Sequence, residues 1–302
     1  MKVALADILA LNDDELDYLK SLGYEITTFN TFDQYTEPTD VIVGYNPPSE
    51  AIPDGLKFVQ LLSAGFDHVN LDLYQDNDIT IANGKGMYSK PIAEYTLAHI
   101  LSIYKSIPDY RSQQDFKKWN RLDKNKSLDQ ATVLILGTGS IGQETAKLLS
   151  AFNATVDGIN TNGRAIDYFN QCFPTTSLDE IMHTYDIVIS ILPQNKATYH
   201  IMDQEQFKRM KNDAVFINVG RGSSVNLDGL MAVLDTNLCA VVLDVFEQEP
   251  LDPKHPLWHH PKAILTPHAS FESNLINTYR LNIVIENLKR FAHNEAIINK
   301  II

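Results

Sequence analysis

The chain has 302 residues, room for about two domains of ordinary size, and 44% hydrophobic against 21% charged residues is a globular composition that excludes disordered and collagen-like chains. The formal net charge of −13 repels phosphate backbones and anionic bilayers, so neither nucleic acid nor a membrane is an expected partner. No apolar run approaches the roughly 18 residues of a membrane span, and Cys172 and Cys239 stand at no metal-ligand or redox spacing, which fits a reducing cytoplasm.

Short apolar runs alternate with stretches of helical spacing, the pattern of parallel sheets covered by helices. The start of the chain reads as a first strand at 2–6 rather than a signal segment, because Asp7 interrupts the apolar run and no small-residue cleavage site follows. A helix is expected over 13–22, with Leu16, Leu19 and Leu22 recurring at threes, and further strands at 41–45, 58–62 and 79–82 complete a small open sheet. Ser89-Lys90-Pro91 opens a long helix, with Pro just inside its start. The polar stretch 111–130 reads as the least structured part of the chain.

From Thr132 the alternation restarts with more apolar strands, at 132–136, 154–159, 186–192, 214–219, 240–245 and 263–265. Six strands is the size of a dinucleotide-binding sheet. A last helix over 273–291 presents Leu281, Val284, Ile285 and Leu288 on one face. The expected architecture is α/β, with two doubly wound parallel-sheet domains. The larger is a Rossmann domain over 99–271, containing a dimerisation arm at 105–130, and the smaller is flavodoxin-like, discontinuous over 1–98 and 272–302 and completed by the C-terminal helix.

Gly137-Thr138-Gly139-Ser140-Ile141-Gly142 follows one of these strands and opens a helix. In that context the glycines permit a tight turn and close backbone approach, and the helix start faces a pyrophosphate. The adenosine ribose is read at the end of the next strand, where this chain has Asn160 and then Arg164. Asn160 brings no negative charge and Arg164 offers a counter-ion, so the chain leans toward NADP over NAD. Asp157 is expected in mid-strand, with its side chain on one sheet face.

Arg221, Glu249 and His268 each lie just past the C-terminal end of an expected strand, on the edge that carries the glycine loop and where open α/β sheets bind ligands. Arginine grips a carboxylate without losing its proton, imidazole moves a proton near neutrality, and a carboxylate raises the basicity of the imidazole. These groups suffice for hydride chemistry on a 2-oxo acid. His255, His259 and His260 lie near Asp252, but Pro253, Pro256 and Pro261 break any helix that would align them, so no metal is expected; Trp258 reads as a wall of the substrate pocket.

The glycine loop, Asn218 to Gly222, Leu243-Asp244-Val245-Phe246 with Glu249-Pro250-Leu251, Thr266-Pro267-His268, Ser63-Ala64-Gly65-Phe66-Asp67 and Asn83-Gly84-Lys85-Gly86 together resemble the NAD(P)-dependent D-isomer-specific 2-hydroxyacid dehydrogenases. The resemblance implies an oxidoreductase that reduces a small 2-oxo acid to a D-2-hydroxy acid, with Arg221 binding substrate, His268 donating the proton and Glu249 pairing with it. It also implies that backbone amides at Ala64 and Gly65 hold the substrate carboxylate near Tyr45, that Leu192, Pro193, Thr198 and Val219 line the cofactor site with Asp244 facing the nicotinamide, and that the protein is a homodimer. Formate dehydrogenases of the superfamily carry Gln where this chain has Glu249, which argues against formate. The alternative is a dinucleotide-sensing relative resembling corepressors, disfavoured by the acidic charge and the lack of a basic tail.

Overall fold

In a computed structural model describing residues 1–302, the chain divides into two units, Met1–Tyr88 with Ser273–Ile302, and Ser89–Glu272. The sequence reading drew these borders at 98/99 and 271/272; the helix that begins at Ser89 goes wholly with the larger unit.

In the smaller unit, β1 (Lys2–Ala6) is followed by α1 (Asp13–Ser21), β2 (Glu25–Phe29), β3 (Val41–Gly44), β4 (Phe58–Leu61), α2 (Leu71–Gln75) and β5 (Thr80–Ala82). Helix α1 starts at an Asn12–Glu15 capping box and carries Asp13, Asp14 and Glu15 in its first turn, where the helix dipole favours negative charge. The five strands are all parallel in the order β2-β1-β3-β4-β5, the flavodoxin-like arrangement. Strand β2 was not foreseen. It lies at the sheet edge with no residue fully buried, so Glu25-Ile26-Thr27-Thr28-Phe29 lacks the apolar run that marks the inner strands.

The larger unit opens with α3 (Ser89–Tyr104) and α4 (Ile107–Asp115), then β6 (Thr132–Leu136), α5 (Ser140–Ser150), β7 (Thr155–Asn160), β8 (Cys172–Pro174), α6 (Leu178–Ile181), β9 (Ile187–Ser190), α7 (Gln204–Arg209), β10 (Ala214–Asn218), α8 (Leu227–Met231), α9 (Leu234–Asn237), β11 (Leu238–Leu243) and β12 (Ala263–Leu265). Helix α3 packs on α5. The sheet has seven parallel strands in the order β12-β11-β10-β9-β6-β7-β8, with a switch point between β6 and β9. The sequence reading counted six; β8 is three residues long, ends in a proline and lies at the edge, where no ladder hydrogen bond is lost. A second correction concerns the arm: α4 occupies the start of the stretch read as unstructured, with proline in its first turn. Inner strands such as Val133–Leu136 are fully buried, each side chain contributing roughly 1.5–3 kcal/mol by burial.

The last helix, α10 (Ile276–Ala292), belongs to the smaller unit and buries Leu281, Val284 and Leu288 of the apolar face its spacing marks, leaves Ile285 of that face only half-buried, and buries Arg280 and Asn287 as well. Asn287 Nδ2 donates to Gln60 Oε1 at 2.6 Å and its Oδ1 accepts from Ile298 N at 2.8 Å, so the buried amide joins β4 to the chain end. No helix is long and apolar enough to cross a membrane.

Candidate active site

The glycine loop sits at the switch point of the larger sheet. Gly137 has φ +105°, and a Cβ there would lie 2.8 Å from the Ile191 carbonyl oxygen; one on Gly142 would lie 2.2 Å from the Gly137 oxygen, so α5 can start this close to the turn only with glycine at both places. Around Gly139 a Cβ would meet nothing within 4 Å. Gly139 is the N-cap of α5 and supplies no side-chain cap, which leaves first-turn amides directed into that open space. This fits the pyrophosphate of a dinucleotide.

At the end of β7, Asn160 organises its own turn. Its Nδ2 donates to the Arg164 carbonyl at 2.9 Å and to Thr138 Oγ1 at 3.2 Å, and its Oδ1 accepts from Arg164 N at 3.1 Å. The Arg164 side chain is exposed and has no carboxylate in ion-pair range. Asp157 lies in mid-strand, buried, and its oxygens accept from Asn170, Gln171 and the Tyr185 hydroxyl. Both carboxylate oxygens are therefore taken up by donors between β7 and β9. Thr198 Oγ1 donates to the Pro193 carbonyl at 2.6 Å and folds the segment after Leu192 into a turn, and buried Val219 donates its N–H to Ser190.

Past β10, buried Asn218 accepts from Gly220 N at 3.2 Å and donates to the Arg221 carbonyl at 3.1 Å, while Ser224 Oγ donates to that same carbonyl at 2.8 Å. The backbone of Arg221 is thus pinned, and its Nη1 donates to the Gly220 carbonyl at 3.0 Å. Past β11, Glu249 Oε1 accepts from Phe246 N at 2.9 Å, and its Oε2 lies 2.9 Å from His268 Nδ1. A carboxylate opposite Nδ1 selects the proton there and turns Nε2 outward, where it makes no hydrogen bond within the chain. Both side chains are partly open, 46% for His268 and 37% for Glu249, so their contact orients the imidazole more than it stabilises the fold.

His268 has φ +52°, a left-handed conformation costly for a residue with a Cβ. Asp244 holds it there. The Asp244 carbonyl accepts from His268 N at 2.8 Å, and its carboxylate accepts from Thr266 Oγ1 at 2.6 Å, Ala269 N at 2.8 Å and Ser270 N at 3.0 Å. Thr266 Oγ1 is also 2.5 Å from the Tyr95 hydroxyl on α3. Burial pushes the Tyr95 phenol up to about 12 and holds the His99 imidazole, whose ring lies tilted against it with centroids 4.3 Å apart, below its ordinary value despite the opposing pull of Asp244. The Asp244 charge is therefore met by N–H and O–H donors. This positioning role went unread in the sequence, although the Thr266-Pro267-His268 motif already contained one of its partners.

Trp258, half exposed on a short 3-10 turn, donates its indole N–H to the Asp252 carbonyl at 2.9 Å. His255 Nδ1 accepts from Leu257 N at 3.2 Å and His260 stands 3.3 Å from Asp235, so these imidazoles serve the local turn and a surface pair. In the smaller unit, Asn83 Nδ2 donates to the Ala64 carbonyl at 2.8 Å and Ser63 Oγ to the Gly65 carbonyl at 2.7 Å. These bonds fix the peptide planes of the loop after β4, and the N–H groups of Ala64 and Gly65 find no acceptor within the chain. Tyr45, just after β3, places its hydroxyl 3.1 Å from that of Tyr88.

The family model for the NAD-binding domain of D-isomer-specific 2-hydroxyacid dehydrogenases matches residues 97–270. The chain is 32% identical over 228 residues to a glyoxylate reductase of Thermofilum pendens, covering 73% of this chain and 67% of that protein. It is 31% identical over 246 residues to a glyoxylate/hydroxypyruvate reductase A of Yersinia enterocolitica, covering 78% of each. A D-isomer-specific 2-hydroxyacid dehydrogenase family structure from Aeromonas salmonicida superposes with TM-score 0.79 at 28% identity, over 100% of this chain and 98% of that one. The chain belongs to the D-isomer-specific 2-hydroxyacid dehydrogenase family, a family of oxidoreductases acting on small hydroxy and oxo acids, and its larger unit is an NAD-binding domain.

Proposed function

We propose that this protein reduces a small 2-oxo acid to the D-2-hydroxy acid, using NADPH at least as well as NADH. The observation that carries the reading is the 2.9 Å pairing of Glu249 with His268 Nδ1, which leaves Nε2 as the group that hands a proton to the carbonyl oxygen. When bound, the nicotinamide supplies the hydride. Arg221 grips the 2-oxo acid through its fork, the Ala64 and Gly65 amides take the carboxylate, and Trp258 limits the substrate's size. The α5 amides with Gly137, Gly139, Ser140, Ile141 and Gly142 bind the pyrophosphate, Asn160 and Arg164 meet the adenosine ribose end, and Leu192, Pro193, Thr198 and Val219 line the remainder. Asp244 acts by holding the His268 turn toward the nicotinamide.

The two named relatives reduce glyoxylate or hydroxypyruvate, as their descriptions state, which supports a 2-oxo acid as substrate here. Following the nicotinamide absorbance band with NADPH or NADH and a panel of 2-oxo acids tests the reading, and absence of turnover with every acid would end it. A homodimer is part of the proposal, supported by the apolar side chains Ile107, Phe116 and Trp119 exposed around α4; light scattering at 34.0 kDa across micromolar concentrations would contradict it.

A further inference from the structure

Arg280 on α10 is 4% exposed, and no carboxylate lies within ion-pair distance of it. Its Nη2 donates to the Tyr45 hydroxyl at 2.7 Å, and its guanidinium carbon stands 5.8 Å from the Tyr45 ring centroid and 5.7 Å from that of Tyr88. The Tyr88 hydroxyl donates to the Leu62 carbonyl, and burial raises its phenol further above its ordinary value, so that ring supplies no negative charge. Arg280 Nε is buried with no partner, and Asn277 Oδ1, one turn earlier on the same helix, is a second buried polar atom without one. Two aromatic faces and one phenol oxygen offset only part of the desolvation of a buried cation. The charge answers to something outside the chain.

The place of this cluster narrows what that is. Tyr45 follows the C-terminal end of β3, Leu62 follows that of β4, and Ala64 and Gly65 come next after Ser63, so Arg280, bonded to Tyr45, stands at the ligand-binding edge of its own sheet. A guanidinium fork matches a carboxylate, and the aromatic rings packed against it bring no acid to compete for it. We propose that Arg280, with Tyr45 and Tyr88, recognises a second carboxylate at the far end of the substrate, which makes the preferred substrates 2-oxo dicarboxylates. This rests on the reductase reading above and adds the substrate class to it.

Matched five-carbon probes, 2-oxoglutarate and 2-oxopentanoate, test it. The parent is expected to show a specificity constant at least tenfold higher for 2-oxoglutarate, and Arg280→Met to lower that ratio at least tenfold, chiefly through KM for 2-oxoglutarate. A parent that favours 2-oxopentanoate, or an Arg280→Met variant that loses both substrates equally, overturns the proposal, the latter by marking Arg280 as a prop for the loop or a reader of the shared carboxylate. Should no 2-oxo acid be turned over, the reductase reading fails, and calorimetric titration with glutarate decides this one separately. Binding weakened at least tenfold by Arg280→Met upholds it, and binding indifferent to the change refutes it. If Arg280→Met does not fold, as judged by circular dichroism, Arg280→Lys keeps the charge and loses the fork, and the same ratios are read from it.

Discussion

Two basic side chains stand at the ligand-binding edges of the two sheets and are held in opposite ways. His268, in the larger unit, is half open and faced by a carboxylate that the chain itself provides, with the strained backbone beneath it tied down by Asp244. Arg280, in the smaller unit, is buried and has no carboxylate at all. A group that passes a proton on needs its partner built in, because that partner fixes which ring nitrogen carries the proton and how the ring is turned. A group that recognises an anion works best when the partner is the ligand, since an internal carboxylate would compete for the same fork.

The largest effect expected from breaking this contrast is at His268. His268→Gln removes the proton donor while leaving the glycine loop untouched, so kcat should fall by about 10²–10⁴ with NADPH affinity nearly intact. Stopped-flow and fluorescence titration measure the two quantities, and wild-type turnover in the variant would remove His268 from the chemistry. Next in size is Arg221→Lys. A point charge cannot reproduce the fork, and a charge-assisted bond contributes about 1.5–3 kcal/mol, so the specificity constant for 2-oxo acids should drop roughly tenfold to a hundredfold. Unaltered saturation and rate would show that Arg221 serves the turn that Asn218 pins.

Glu249→Gln sharpens the comparison by removing the built-in charge alone. Gln can still hold the imidazole in place but brings no negative charge to face Nδ1, and the pair is partly exposed, so kcat should fall by about tenfold with NADPH affinity unchanged. Steady-state kinetics and fluorescence titration measure the two quantities, and a variant with the parental kcat would separate Glu249 from the proton transfer.

What was legible in the sequence follows the same physics. Inner strands are buried, β10 throughout and β6 from Val133 on, and read as apolar runs, so their places were plain. Edge strands β2 and β8 bury little, and their sequences carry no comparable signal. The reacting groups were legible because each follows a strand within a motif. Arg280 was not, because helical spacing highlights Leu281, Val284 and Leu288 and treats an arginine between them as a solvated residue. The hydrogen-bonding duties of Asn160 and Asp244 were hidden for another reason. They depend on backbone donors brought together by the fold, at Arg164 in one case and at Ala269 and Ser270 in the other.

The smallest expected effect concerns cofactor choice, and here the structure changes which variant is the cleaner probe. Asn160 lacks the charge that would repel a 2′-phosphate, but its amide also donates to the Arg164 carbonyl and to Thr138, so Asn160→Asp adds a charge and deletes two hydrogen bonds at once. A shift in cofactor preference in that variant would mix electrostatics with a loosened turn. Arg164→Ala leaves the bonds at the turn in place, because Asn160 holds the backbone of residue 164 and not its side chain. The exposed guanidinium has no acid of the chain to satisfy it, so removing it should lower the NADPH-to-NADH ratio of specificity constants by about tenfold, the equivalent of about 1.4 kcal/mol. Asp157 is a poor rival for the ribose, since both its oxygens already accept from donors between β7 and β9. Steady-state constants for both cofactors, in parent and variant, are the measurement; a parent that strongly prefers NADH, with constants indifferent to Arg164→Ala, would assign the ribose to another group and overturn the lean toward NADPH.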